Sequence, residues 1–172
     1  YVSLTSFTHH PFYESFILEI PDNYSNGAFY NLPIDELEKV VDHAIKNGYS
    51  VAWDGDVGEK GFSAKEGIAV LPTDEKRENL FKKPGDEQSV TQSARQTNFE
   101  SFATTDDHLM HLVGTAKDKD GDIYYIIKNS WDKIGPYNGY VYMSKPYFKM
   151  KTVAILLHKD AIPKQILKKI KF

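Results

Sequence analysis

Two residues between positions 104 and 143 have the chemistry of a catalytic pair. His108 opens one β-like segment and Asn129 closes the next. An imidazole can take a proton from a nucleophile and return it to a leaving group, and a neighbouring carboxamide can hold the ring in the required orientation. Placed at one strand end, they form the supporting pair of a cysteine nucleophile. The chain nevertheless contains no cysteine.

The segments that carry this pair are predicted to form a β-hairpin. Between them, Asp118-Lys119-Asp120-Gly121 has the Asp/Gly composition of a hairpin loop. We expect the turn to centre between Asp118 and Lys119. That register places His108 opposite Asn129, or within a residue or two of it. A third strand is expected at 139–143.

An indole near the carboxamide is expected to protect the pair from solvent. Trp131 follows Asn129 by two positions. A hydrogen bond is stronger in a low dielectric than in water. We therefore expect Trp131 to shield the bond between His108 and Asn129.

Metal binding is the main alternative for the side chains around His108. Potential ligands cluster there: Asp106, Asp107, His108 and His111. Strand alternation, however, places His111 on the face opposite to His108. By the same alternation, the adjacent His9 and His10 point apart, and we expect them to lie in a loop without a metal. The sequence predicts no metal and no cofactor.

The composition is that of one ordinary globular domain. The chain has 172 residues, of which 41% are hydrophobic and 26% are charged. A net charge of -3 argues against nucleic acid as a partner. No apolar run is long enough to predict a membrane span. Because Tyr1 stands where an initiating Met is usual, we expect a longer precursor.

The hydrophobic pattern predicts an α+β fold in which three helices pack on a mostly antiparallel sheet. The clearest helix has one apolar face, formed by Ile34, Leu37, Val40, Val41, Ala44 and Ile45. Two further helices are expected at 89–102 and 163–170, and strands at 1–5, 16–20, 49–53 and 152–157. An exposed loop is expected at about 73–88.

Several short motifs resemble those of a known enzyme family. The histidine and asparagine segments of papain-like cysteine peptidases are similar to Asp107-His108-Leu109-Met110, Lys128-Asn129-Ser130-Trp131 and Gly139-Tyr140. The bleomycin hydrolase or aminopeptidase C branch is similar, more narrowly, to Tyr30-Asn31-Leu32-Pro33-Ile34-Asp35, Asp56-Val57-Gly58 and Lys159-Asp160-Ala161-Ile162-Pro163. The resemblance runs in order along nearly the whole chain.

The resemblance implies a fold and a catalytic role for each of several residues. It implies that residues 1–172 are the C-terminal lobe of a papain-like peptidase, an antiparallel sheet or barrel with packed helices. His108 would be the general base and acid, and Asn129 would orient it, with Trp131 and Asp107 in support. The thiolate would come from an N-terminal segment of the same protein, and a peptide would be the substrate. The resemblance also implies a homo-oligomer and a cytoplasmic location.

One position next to Trp131 departs from the family pattern. The family usually has Gly where this chain has Asp132, immediately after Trp131. The conformation of this loop could therefore differ from that of the family.

The alternative function, from a different class, is a non-catalytic binding or structural module that retains the peptidase fold. A lobe that has lost its partner should expose a large apolar patch, which a self-sufficient module should not.

Overall fold

The computed structural model describes residues 1–170, which form ten strands and four α-helices. The strands are β1 Val2–Thr5, β2 Ser15–Ile17, β3 Ala28–Asn31, β4 Val51–Gly55, β5 Phe62–Ser63, β6 Ile68–Ala69, β7 His108–Lys117, β8 Ile123–Lys128, β9 Tyr140–Ser144 and β10 Thr152–Leu157. The helices are α1 Ile34–Lys46, α2 Gln92–Glu100, α3 Lys145–Lys151 and α4 Lys164–Leu167. A 3₁₀ turn, Lys159–Ala161, precedes α4.

All ten strands join one sheet in the order β2-β3-β1-β10-β4-β7-β8-β9-β6-β5. In the described part of the chain, β1 with β3 and β6 with β9 are the parallel pairs, and the other neighbours are antiparallel. The predicted α+β class is therefore confirmed. In this order β4 and β7 are central neighbours, so the strand that begins with His108 is supported on both sides.

Helix α1 covers one face of this sheet, as its periodicity predicts. Its residues Leu37, Val40 and Val41 are fully buried, and they join Trp53 of β4 in the main hydrophobic core. Acidic residues occupy the first turn and Lys46 the last, which suits the helix dipole. The helix thus fixes the buried face of the strands that carry the candidate site.

The prediction of three helices was wrong by one, because α3 was missed. This helix has only seven residues, Lys145–Lys151, and it links β9 to β10. Its start is fixed locally, since the hydroxyl of Ser144 accepts a hydrogen bond from the backbone N–H of Tyr147 at 3.2 Å. Most of its stabilisation comes from burial of its aromatic residues. The predicted final helix is shorter than expected and has a single turn, Lys164–Leu167.

The predicted centre of the β7–β8 turn was also wrong. The turn centres on Asp120 rather than between Asp118 and Lys119. The carboxylate of Asp118 causes the shift, because it accepts hydrogen bonds from the backbone N–H groups of Asp120 and Asp122 at 2.9 and 3.0 Å. His108 therefore does not pair with Asn129 in the ladder.

The residues from 73 to 88 are mostly exposed and contain no regular helix or strand. A single bridge between Pro72 and Glu87 closes this segment into a loop. Among residues 1–170, no helix has the length and apolar character needed to cross a membrane.

Candidate active site

The candidate site lies at the open end of the β7–β8 hairpin. His108 is the first residue of β7, where it pairs with Gly55, the last residue of β4. Asn129 lies one position beyond β8, and its backbone N–H donates to the carbonyl of Gly139 at 3.0 Å. Backbone hydrogen bonds thus fix both residues at the same end of two neighbouring interior strands.

The His108 and Asn129 side chains meet although their backbones are not paired. Nε2 of His108 and Oδ1 of Asn129 are 2.9 Å apart. Because a carboxamide oxygen can only accept, Nε2 carries the proton and donates it. The lone pair of the neutral ring is then on Nδ1, which can act as a base. Asn129 is 3% exposed, so this orienting bond is protected from water.

The indole of Trp131 contacts the imidazole of His108. The indole and imidazole ring centroids are 4.5 Å apart, with an angle of 39° between the planes. The indole also makes an edge contact with Phe62, at a centroid distance of 6.3 Å. Trp131 is 43% exposed, so its outer face is open to solvent or to another segment.

The hydrogen bonds of the Asp107 carboxylate go to residues other than His108. Its Oδ1 accepts a hydrogen bond from the backbone N–H of Val57 at 3.0 Å, and its Oδ2 accepts one from the hydroxyl of Thr105 at 3.4 Å. Partial burial of the carboxyl raises its pKa, and the hydrogen bond from Val57 opposes that rise. Asp107 therefore anchors the chain beside His108 to the loop after β4.

A buried ionic cluster beneath this anchor was missed at the sequence level. Lys151, at the end of α3, is 3% exposed and Asp56 is 4% exposed. The Lys151 ammonium bonds Glu59 and lies 3.9 Å from the Asp56 carboxylate. These residues line a cavity of about 450 Å³ next to Asp107. The sequence signal was weak, because a lysine that precedes an apolar strand usually lies in solvent.

Asp54 and Asp106 form an acidic pair near the start of the His108 strand. Asp54 of β4 is opposite Leu109, and its carboxyl is within hydrogen-bonding range of Asp106. Two carboxyl groups can bond only if one holds a proton. Burial, reinforced by Asp106, raises the pKa of Asp54 to about 9. In the described residues, both oxygens of Asp106 and Oδ1 of Asp54 are buried and have no donor group as a partner, so a proton on one of the two carboxyl groups would satisfy them.

His9, His10 and His111 were the other histidines considered as metal ligands. His111 is exposed and lies opposite Ala52, on the face of β7 opposite to His108. His9 and His10 were predicted to point apart, but both reach Glu19, with ligand atoms within 4.8 Å of one another. Nδ1 of His9 is 3.0 Å from the Gln96 amide nitrogen, so it accepts there. The proton then occupies Nε2, the atom that a metal would need.

The loop that carries Trp131 is strained at Asp132. Asp132 has a φ of 61°, in the left-handed region that glycine favours. The loop cannot easily relax, since a Cβ on Gly139 would lie 2.2 Å from the Asp132 carbonyl oxygen. The sequence difference from the family thus coincides with a conformation that suits glycine.

We expect Asp132→Gly to stabilise the chain by about 0.5–1 kcal/mol, which corresponds to a rise in melting temperature of about 1–4 °C. Asp132→Ala is the matched control, because it removes the carboxylate but keeps the Cβ that the left-handed conformation disfavours. Thermal unfolding followed by circular dichroism measures both. A glycine variant that melts below the alanine variant would contradict the prediction.

The chain is similar to a known protein family along its whole length. The peptidase C1-like family matches residues 1–172. The chain belongs to this family. The membership covers every element described above, including both strands of the β7–β8 hairpin.

Two curated relatives of this C1-like chain are enzymes by name. Aminopeptidase G of Lactobacillus delbrueckii subsp. lactis is 32% identical over 170 residues, which are 95% of this chain and 36% of that protein. Bleomycin hydrolase of Homo sapiens is 26% identical over 168 residues, which are 92% of this chain and 34% of that protein. The resemblance to the bleomycin hydrolase branch is confirmed. The chain spans about a third of the length of these relatives.

Solved structures agree on the fold. PepW from Lactobacillus rhamnosis HN001 superposes with a TM-score of 0.70 at 21% identity. The match covers 98% of the C1-like chain and 37% of PepW. The predicted papain-like fold is therefore confirmed for this chain.

Proposed function

We propose that this chain is the histidine-bearing and asparagine-bearing lobe of a cysteine peptidase, and that a cysteine outside these 172 residues supplies the nucleophile. The hydrogen bond of 2.9 Å between His108 Nε2 and Asn129 Oδ1 carries the proposal. It leaves Nδ1 as the basic atom, and it stabilises the imidazolium that forms when Nδ1 takes a proton. The absence of cysteine from the chain means that the thiol must be external.

In the proposed reaction, Nδ1 of His108 removes the thiol proton and forms a thiolate–imidazolium pair. The thiolate attacks the carbonyl carbon of a peptide. The C–N bond breaks, and the leaving amine takes the proton from Nδ1, which yields a thioester. Water then attacks the thioester, His108 accepts its proton, and the proton returns to the departing thiolate. Asn129 holds the ring through both steps, while Trp131 limits access of water to their bond.

An uncovered apolar face supports a docked partner segment. Leu156 of β10 lies opposite Ala52 of β4, and Ala52 lies opposite His111 of β7. Leu109, two residues before His111, belongs to the same outer face. Leu109 is 61% exposed, and Leu156 is 43% exposed. Exposed apolar patches of this kind mark interaction sites. The patch begins one residue from His108 but on the opposite face of β7. We therefore propose it as a contact for a partner segment next to the site, and not as the place where the thiol itself binds.

An unpaired amide in the site supports the same arrangement. Nδ2 of Asn129 is buried and has no hydrogen-bond partner within residues 1–170. An unsatisfied buried donor costs about 1–3 kcal/mol. A carbonyl oxygen from the docked segment would satisfy it, and would also fix the carboxamide that orients His108.

Peptides are the proposed substrates, since the relatives are named as an aminopeptidase and a hydrolase. Cleavage at a free N-terminus is the narrower proposal. The division of the protein into this lobe, residues 1–172, and a cysteine-bearing N-terminal part is proposed with it. Assembly into a homo-oligomer stays a prediction.

Reconstitution tests the proposed function. We expect the chain alone to hydrolyse no aminoacyl fluorogenic substrate, because it has no thiol. Hydrolysis should appear when the chain is produced with its encoded upstream polypeptide, and a thiol-directed epoxide should label a cysteine there and abolish it. An intact protein that folds, binds no epoxide and cleaves no peptide would instead favour the non-catalytic module.

A further inference from the structure

Lys151 is an unusual residue to find inside this lobe. Its side chain is 4% exposed, although it carries a charge at the end of a short helix. Removing an ammonium from water costs several kcal/mol unless its partners are well placed. A methionine would fill the same space without that cost. The position of Lys151 therefore needs an explanation beyond packing.

The partners of Lys151 lie in two places, the loop after β4 and the segment that leads into His108. Its ammonium donates to the carbonyl of Ala103 at 2.6 Å and to the carboxylate of Glu59. The nearby Asp56 carboxylate accepts from the backbone N–H of Thr105 at 3.0 Å. These contacts hold two points of segment 103–107, the irregular connection between α2 and β7.

The same cluster also fixes the strand opposite His108. The backbone N–H of Asp56 donates to the carbonyl of Lys151 at 3.0 Å. Gly55, which pairs with His108, lies so close that a Cβ there would be 2.3 Å from that carbonyl oxygen. The end of α3 is therefore in contact with both backbones that hold the imidazole.

We propose that Lys151 is a positioning residue that acts on His108 through Ala103, Asp56 and Thr105. The proposal rests on the function proposed above for His108. A base must be held within about 0.5 Å of its productive position, and a misplacement of about 1 Å can reduce the rate about 100-fold. His108 begins its strand, so the preceding segment controls its position.

Replacement of the ammonium by a thioether of similar length tests this role. In the intact peptidase, we expect Lys151→Met to lower kcat about 10-fold to 100-fold while KM changes less than about twofold, because the Lys151 side chain is 4% exposed and offers almost no surface to a substrate. Lys149→Met is the matched control on the same helix. The Lys149 ammonium pairs with Asp35 and Glu38 of α1, far from the His108 connection, and its loss should leave kcat unchanged.

A double variant separates positioning from folding. Lys151→Met leaves the Glu59 carboxylate without its cation, so the lobe should also melt at a lower temperature. Adding Glu59→Gln removes that unpaired charge and should restore much of the melting temperature. It cannot restore the bond to Ala103, so kcat should stay low. Recovery of kcat together with the melting temperature would overturn the proposal, as would an equal loss in the Lys149 variant.

A measurement on the chain alone keeps this test independent of peptidase activity. The Nε2 proton of His108, held by Asn129, should give a proton resonance that exchanges slowly with water. We expect Lys151→Met to accelerate that exchange at least about 10-fold and Lys149→Met to leave it unchanged. Equal exchange in both variants would overturn the positioning role. A lack of hydrolysis by the intact wild-type protein would refute the proposed function without affecting this result.

Discussion

Replacement of His108 by alanine should reduce kcat of the intact peptidase about 1,000-fold or more. No other group in the described residues is placed to perform its role, since Asn129 is oriented toward Nε2 and leaves Nδ1 as the base. General acid–base catalysis alone contributes about 10²–10⁴-fold. Loss of the imidazole also removes the cation that stabilises the thiolate, so labelling of the cysteine by a thiol-directed epoxide should slow as well.

His111→Ala is the matched control for this experiment. His111 lies on the same strand, but it is exposed and belongs to the face opposite to His108. Alanine at this position leaves the proposed docking face apolar, so docking of the partner segment should be kept. Steady-state kinetics of both variants should therefore show a large loss for His108→Ala and almost none for His111→Ala. Circular dichroism verifies that both remain folded. Comparable losses in the two variants would remove His108 from its proposed role.

Replacement of Asp54 by asparagine should stabilise the chain strongly at alkaline pH. The usual carboxyl pKa of 3.8 applies in the unfolded chain, whereas burial raises the pKa of Asp54 to about 9 in the fold. Between these values the folded state holds a proton that the unfolded state has lost. The stabilisation by this proton is complete below about pH 4, and it is lost as the pH rises toward 9.

The negative charges around Asp54 also raise its pKa. Asp106, Asp22 and Asp107 all oppose ionisation of Asp54. An asparagine amide can donate to Asp106 at any pH, so the variant keeps the bond and removes the titration. We expect a gain of a few kcal/mol at pH 8.5, or roughly 5–10 °C in melting temperature, and a much smaller gain at pH 4.5.

Denaturant unfolding between pH 4.5 and pH 9 measures this effect. Glu78→Gln removes one negative charge from the exposed loop and controls for the change in net charge. Its stability curve should run parallel to that of the wild type, whereas the curve of Asp54→Asn should be flatter. Parallel curves for all three proteins would show that Asp54 does not hold a proton in the fold.

The pairing of His108 with Asn129 could be predicted from sequence because it depends on local chemistry. Both residues stand at the ends of strands that a short Asp/Gly turn connects, and an error in the turn moves them by a residue or two. The exact ladder could not be predicted in this way. The carboxylate of Asp118 selects the turn through two hydrogen bonds, and composition alone does not favour that turn over its neighbours.

The network that supports the pair could not be predicted, because its residues are distant in sequence. Lys151 and Asp56 are separated by about 95 positions, and each looks like a surface residue in its own segment. Helix α3 was missed for a related reason. Its seven residues have modest helix propensity, and their burial against the sheet determines their conformation. Tertiary packing determines whether such a short segment is helical.

The neighbouring positions of β1 and β10 affect how this chain folds. Residues 2–5 pair with residues 154–157, and the hydroxyl of Thr5 donates to the carbonyl of Val153 at 2.7 Å. The middle of the sheet therefore depends on a contact between distant parts of the chain, which slows folding. During synthesis, β1 has no antiparallel partner until about 150 more residues have left the ribosome. Until then its edge is open to other chains, so aggregation competes with folding.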